Sequence, residues 1–226
     1  IPPTFTDVQA AMLNVNPCTA YRMLRDFEQL GPGDTVIQNG ANSAVGQFVI
    51  QLCSAWNLNS VNVVRDRDDI IELKTQLKSL GATEVFTEAE IRKTMIFKEK
   101  KLPTPKLALN CVCGDSATNV LRHLGPNGSI ITYGAMSREP LTIPASALIF
   151  KNIKVLGFWM SIWAKNNRNS KERFEMIEEL GSLFKEGKLK VPKHKIVSIE
   201  EYQEAVTKTL QMEGKTGVKY ILDLTS

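Results

Sequence analysis

The chain has 226 residues, 43% of them hydrophobic, and a net charge of +4 in which basic and acidic side chains are interleaved, so it can bury an ordinary core and shows no basic stripe of the kind that binds nucleic acid. Its longest apolar stretches, Ser146 to Phe150 and Ile153 to Met160, are interrupted by Lys151, Asn152 and Lys154 and fall short of the roughly 20 apolar residues of a membrane-spanning helix. The four cysteines (Cys18, Cys53, Cys111, Cys113) lack disulfide-framework spacing, which favours a reducing compartment, and the start at Ile1 has neither an initiator Met nor signal or transit character, so it reads as a processed chain or excised fragment.

In chain order, Thr6-Asp7-Val8-Gln9 has the capping-box form and predicts a first helix. Asn16-Pro17 predicts an N-cap followed by proline at the first helical position, with a second helix from Pro17 to about Leu30 that stops at Gly31-Pro32-Gly33-Asp34. Strand and helix signals then alternate. Strands are expected at Thr35–Gln38, Ser60–Val64, Glu84–Phe86, Leu107–Cys111, Ser129–Tyr133 and Lys154–Gly157; helices are expected at Val45–Trp56, Asp68–Leu80 and Ser116–Leu124, with an exposed loop around 98–105. Six strands in that rhythm predict an α/β fold, a Rossmann-type doubly wound parallel sheet, over residues 1–160.

From residue 161 to 226 the character changes. A polar loop from Lys165 to Ser170 precedes a long helix carrying Phe174, Ile177, Leu180, Leu183 and Phe184 on one face and ended by Gly187. Strand, helix and closing strand follow between Ile196 and Leu224, a segment expected to belong partly to another domain.

The sharpest chemical feature is Gln38-Asn39-Gly40-Ala41-Asn42-Ser43-Ala44-Val45-Gly46-Gln47, where the first strand gives way to a helix. A slim turn there lets backbone N–H groups and the positive helix end approach a pyrophosphate. The usual G-x-G-x-x-G is absent; Gly40, Ser43 and Gly46 fall three apart instead, and a plain small-residue turn is the alternative. At the end of the second strand stands Arg65-Asp66-Arg67. A lone acidic residue there would favour NAD, whereas guanidinium groups pair with a 2′-phosphate and favour NADPH; a solvated charge cluster is the alternative. The fifth and sixth strands end in Tyr133-Gly134-Ala135-Met136 and Gly157-Phe158-Trp159-Met160, at the edge over which a nicotinamide would lie. Cys111-Val112-Cys113 finds no histidine at ligand spacing, so no metal site is expected.

Asn16-Pro17-Cys18-Thr19-Ala20-Tyr21, Asn42 to Gln47, Val63 to Arg67, Leu107 to Cys111, Thr132 to Met136, Ile149-Phe150-Lys151 and Gly157-Phe158-Trp159 together resemble the mitochondrial trans-2-enoyl-CoA reductases of the medium-chain dehydrogenase/reductase superfamily. The resemblance runs over essentially the whole chain. It implies NADPH-dependent reduction of 2-enoyl thioesters, carried by CoA or acyl carrier protein, in fatty-acid synthesis of the mitochondrial matrix, by a homodimer built through the cofactor domain. It further implies NADPH contacts at Asn16, at Asn42, Ser43, Ala44, Val45 and Gly46, at Arg65, Asp66 and Arg67, at Tyr133, Gly134, Ala135 and Met136, at Phe158, Trp159 and Met160, and at Lys219.

Members of that family begin with a barrel-like catalytic domain that supplies a proton-donating tyrosine, and Tyr21, Tyr133, Tyr202 and Tyr220 do not match its position. The chain is therefore expected to hold the cofactor-binding part, with its C-terminal segment returning to an incomplete catalytic domain, to expose apolar surface, and to be weakly active or inactive alone. A quinone or other alkene reductase of the same superfamily, or a non-catalytic NADPH-binding module, would show similar cofactor motifs.

Overall fold

A computed structural model describes residues 2, 4–211 and 218–224. Ile1 and Pro3 of the expected cofactor domain, and residues 212–217 and 225–226 of the expected C-terminal unit, lie outside the described residues. Two helices lead, Asp7–Leu13 (α1) and Asn16–Asp26 (α2). Thr6 caps α1 through the reciprocal bonds with Gln9 that the sequence announced. Asn16 is not an N-cap: that place falls to Val15, because α2 starts one residue early, directly after the Asn14 C-cap of α1. The second helix also stops at Asp26, short of Leu30.

The sheet comprises Thr35–Gln38 (β1), Asn59–Val64 (β2), Glu84–Thr87 (β3), Leu107–Asn110 (β4), Ser129–Thr132 (β5) and Lys154–Gly157 (β6), in the order β3-β2-β1-β4-β5-β6 with every pair parallel. This is the expected doubly wound order, and its direction reverses between β1 and β4, where a crevice opens beyond the strand ends. Helices Ala44–Ala55 (α3), Ile70–Ser79 (α4), Glu88–Lys93 (α5), Gly114–Leu121 (α6) and Ala145–Lys151 (α7) link successive strands.

Three helices depart from the sequence expectation. Thr87 and Glu90 form a second capping box that starts α5 immediately after β3. The apolar run at 146–150 folds as α7 and is closed by Asn152 in the left-handed region, φ 50°. Past β6, Met160–Asn166 (α8) occupies the start of what reads as a polar loop.

One face of the sheet packs against α2, α3 and Lys171–Lys185 (α9), with Met23, Phe48, Leu52, Leu107, Leu109, Ile131, Met176 and Leu180 buried together. Side chains such as Phe48 and Leu52 each contribute about 1.5–3 kcal/mol through burial. The other face gathers Ile37, Val61, Val63, Ala108, Val120, Leu124 and Ile130. His194–Ser198 (β7) and Lys219–Asp223 (β8) pair in parallel as a separate two-stranded sheet, with Tyr202–Gln211 (α10) between them in sequence. The large apolar side chains of Ile149, Phe150, Val155, Leu156 and Trp159 are exposed. No described helix is long and apolar enough to cross a membrane.

Candidate functional site

Along the carboxyl ends of β1, β2, β4 and β5 lies a cavity of about 410 Å³. Its walls include Gly40, Asn42, Ser43, Ala44 and Val45 from the first turn, Arg65 from the end of β2, and Tyr133, Gly134 and Met136 from the end of β5. Asn16 at the start of α2 and Lys219 at the start of β8 complete it from outside the sheet.

The first turn is shaped by two glycines. Gly40 has φ +56°, and a Cβ there would meet the Cys111 sulfur at 2.5 Å. At Gly46 a Cβ would lie 2.5 Å from the Ala41 carbonyl oxygen, so only glycine lets the first turn of α3 press against the loop. Ser43 is the N-cap of α3: its Oγ accepts the Gly46 N–H at 3.1 Å and keeps its own proton for a donor role. The loop at the foot of β4 is held by a buried amide pair. Asn39 Nδ2 donates to Asn110 Oδ1 at 2.8 Å, Asn39 Oδ1 accepts the Cys111 N–H at 2.9 Å, and Asn110 Oδ1 also accepts the Val112 and Cys113 N–H groups. That turn ends at Cys113 with φ 69° and ψ −162°, a conformation suited to glycine.

The Tyr133 hydroxyl is enclosed and makes no hydrogen bond, although the side chains of Cys111 and Ser43 are its polar neighbours. Burial pushes its pKa well above the ordinary tyrosine value, and Cys111 acts in the same direction. Burial likewise raises the Cys111 thiol, so both groups stay protonated at neutral pH. Among the described residues, the charged members of the wall are the cations Arg65 and Lys219 and the anion Glu88.

Of the residues singled out from sequence, the structure gathers Asn16, Asn42, Ser43, Ala44, Val45, Arg65, Tyr133, Gly134, Met136 and Lys219 around this one cavity. Gly46 stands one layer behind it and serves packing. Arg67 turns to Asp69, 3.6 Å away, and its backbone N–H bonds the Asp66 carboxylate; neither Asp66 nor Arg67 lines the cavity. Ala135 is exposed and also off the wall. The Phe158 ring packs edge-on against Phe27 at 5.8 Å, Trp159 is 68% exposed, and Met160 is buried beside the core, so this trio does not wall the cavity. Sequence reasoning missed Glu88, Cys111, Val112 and Ser137 as wall residues. For Glu88 the capping box Thr87-Glu88-Ala89-Glu90 was the available signal, since it starts a helix at a strand's carboxyl end.

All four cysteines are buried and unpaired. Among the described residues no group of three or more His, Cys, Asp and Glu side chains could hold a metal ion, so they do not fit a zinc site.

The family described as zinc-binding dehydrogenase matches residues 44–180. The mitochondrial enoyl-[acyl-carrier-protein] reductase of Mus musculus is 53% identical over 207 residues, a match that covers 89% of this chain and 54% of that protein. The chain thus spans about half the length of the curated relatives it matches. Among solved structures, the complex of Etr1p with NADP and crotonyl-CoA superposes with a TM-score of 0.87 at 37% identity, covering 97% of this chain and 62% of that one. The mitochondrial 2-enoyl thioester reductase Etr1p/Etr2p heterodimer from Candida tropicalis gives 0.85 at 39% identity, over 92% of this chain and 60% of its own. With that match over more than half its length, and a fold shared with these reductases, the chain belongs to the zinc-binding dehydrogenase family.

Proposed function

We propose that this chain binds NADPH and supplies the cofactor-binding part of a reductase that saturates 2-enoyl thioesters, carried by CoA or acyl carrier protein, in the fatty-acid synthesis of the mitochondrial matrix. The observation that carries the reading is a single cavity in which a glycine-shaped turn, the N-terminus of α3 and Arg65 lie together at the switch point of a doubly wound sheet. Relatives that are mitochondrial enoyl reductases, and a fold neighbour in complex with NADP and crotonyl-CoA, support the same reading.

The residues fit a dinucleotide phosphate. Added bulk at Gly40 or Gly46 would collide with its surroundings, so the turn stays thin enough for phosphate to reach backbone N–H groups. Arg65 offers a planar cation to a 2′-phosphate, and Lys219 adds a second positive charge across the cavity. Tyr133 and Gly134 present a flat, slim surface to a nicotinamide ring. When bound, NADPH supplies the hydride for the β-carbon of the enoyl thioester.

Charge then develops on the thioester oxygen and must be stabilised and quenched by a proton donor. No described tyrosine is assigned that role: the Tyr133 hydroxyl is enclosed, the Tyr21 hydroxyl donates to Glu179 at 2.5 Å, and neither Tyr202 nor Tyr220 lines the cavity. The donor is proposed to come from the part of the relatives' length that this chain does not span, which leaves these residues alone able to bind cofactor with weak or no turnover. Residues 1–160 are proposed to form the cofactor domain, and the segment from 161 onward to belong in part to the catalytic domain. A homodimer through the cofactor domain is proposed at β6, whose four residues are all exposed, with Phe150 at 81% exposure beside them.

The reading is tested by following NADPH oxidation in the full-length protein with crotonyl-CoA and, separately, with a quinone. Faster turnover of crotonyl-CoA supports it; turnover of the quinone alone, or no binding of NADPH, overturns it.

A further inference from the structure

Glu88 is a charged wall residue that cofactor binding, as described so far, leaves without a task. It follows β3, the strand that lies beyond β2 on the same side of the switch point, and it faces the cavity that Arg65 also lines. Its carboxylate is fixed at both oxygens: Ser116 Oγ donates to Oε1 at 2.5 Å and Asn119 Nδ2 donates to Oε2 at 2.8 Å. Those two partners are themselves held, Ser116 Oγ by Asn39 Nδ2 at 3.0 Å and Asn119 Oδ1 by Arg92 Nε at 3.0 Å. A carboxylate with one bond on each oxygen retains acceptor capacity on both and can donate nothing. The geometry presents a pre-oriented acceptor to whatever enters this end of the cavity.

Resting on the reading of the cavity as an NADPH site, we propose that Glu88 selects the adenine base by accepting a hydrogen bond from its exocyclic amine. The 2′-phosphate belongs with Arg65 at the end of β2, and like charge keeps phosphates away from a carboxylate. One strand further out, the donor that a bound adenosine offers is the 6-amino group of the base. Glu88 is thus a specificity-determining residue, and Ser116 and Asn119 are its positioning residues.

The test compares equilibrium binding of NADPH with that of its hypoxanthine analogue, in which a carbonyl oxygen replaces the amine. Wild type is expected to bind NADPH roughly tenfold or more tightly, because the analogue sets a carbonyl against a carboxylate. Glu88→Gln keeps the side-chain size, can turn its amide NH2 to the carbonyl, and is expected to bring the two affinities to within about threefold. The wild-type comparison needs no variant, so a folding defect in Glu88→Gln does not shield the proposal. Equal affinities in wild type, or undiminished discrimination in a folded Glu88→Gln, overturn it while leaving the NADPH site intact. Binding of neither nucleotide overturns the cofactor reading itself.

Discussion

β1 and β6 are each four residues long, and each carries two aliphatic side chains in its middle: Thr-Val-Ile-Gln in one, Lys-Val-Leu-Gly in the other. Every residue of β1 is buried and every residue of β6 is exposed. Strand composition alone does not separate them; place in the sheet does. β1 has β2 and β4 as neighbours and helices on both faces, whereas β6 pairs only with β5. The opposite edge shows that exposure is not a general property of edges in this fold. In β3, Val85 and Thr87 are buried, and Glu84 meets Lys78 at 3.1 Å, a charged finish that discourages further pairing. The β6 edge has an ion pair of its own, Lys154 to Glu28 at 3.2 Å, but it leaves Val155 and Leu156 exposed, which is why the dimer is proposed there.

The centre is expected to tolerate little. Ile37→Ala, at a fully buried position of β1, should cost about 2–5 kcal/mol in urea unfolding; a loss under about 1 kcal/mol would mean that the centre is no better packed than the edge.

Core thiols test the same contrast through pH. Burial pushes both Cys18 and Cys53 up to about 12 from 9.0. Below the unfolded value both states carry the proton, so the contribution is fully present. As pH rises from about 9 to about 12 the unfolded chain sheds protons that the folded chain keeps, and stability falls by up to about 1.4 kcal/mol per pH unit for each thiol. Unfolding midpoints between pH 8 and 11 should show this slope, and Cys53→Ala should make it shallower while Cys18 keeps its share. A flat profile in the unsubstituted chain would place these thiols in contact with water.

A smaller effect is expected in the turn after β4, where the buried Cys113 holds a backbone shape suited to glycine. Cys113→Gly and Cys113→Ala both lose the buried thiol with its contacts to Asn110 and Gly134, but only glycine relieves the backbone, so the glycine variant should be the more stable of the two by about 1 kcal/mol. Equal unfolding midpoints for the two would show that the turn is not strained. At the β6 edge, Leu156→Lys should shift the stability of the isolated fold by no more than about 0.5 kcal/mol. The same change should abolish self-association in sedimentation, and a dimer that persists would remove β6 as its surface.

Legibility in the sequence followed the same divide. The central strands and the Gly40 to Gly46 turn were readable because burial demands continuous apolar runs and the turn demands small residues, two constraints that leave marks on residue type. α7 leaves no amphipathic mark because Leu148, Ile149 and Phe150 are exposed, whereas α8 does pack Met160, Trp163 and Ala164 on the core but is only seven residues long, too short for a helical period to stand out. Arg65 and Arg67 look equivalent on paper. One residue of backbone between them turns Arg65 to the cavity and Arg67 to Asp69, a distinction that spacing does not carry. Phe158 stands at the strand end where a cofactor contact is expected, but its ring is taken up by Phe27, the residue that closes α2 far away in sequence.

The central claim is that the cavity at the switch point holds NADPH through Arg65. It is tested most directly by titrating the chain with NADPH and NADH before and after Arg65→Ala. The account predicts tighter binding of NADPH by wild type, and a loss of roughly tenfold or more in NADPH affinity on substitution with NADH little changed. Preference for NADH in wild type, or unchanged NADPH affinity in Arg65→Ala, would contradict it.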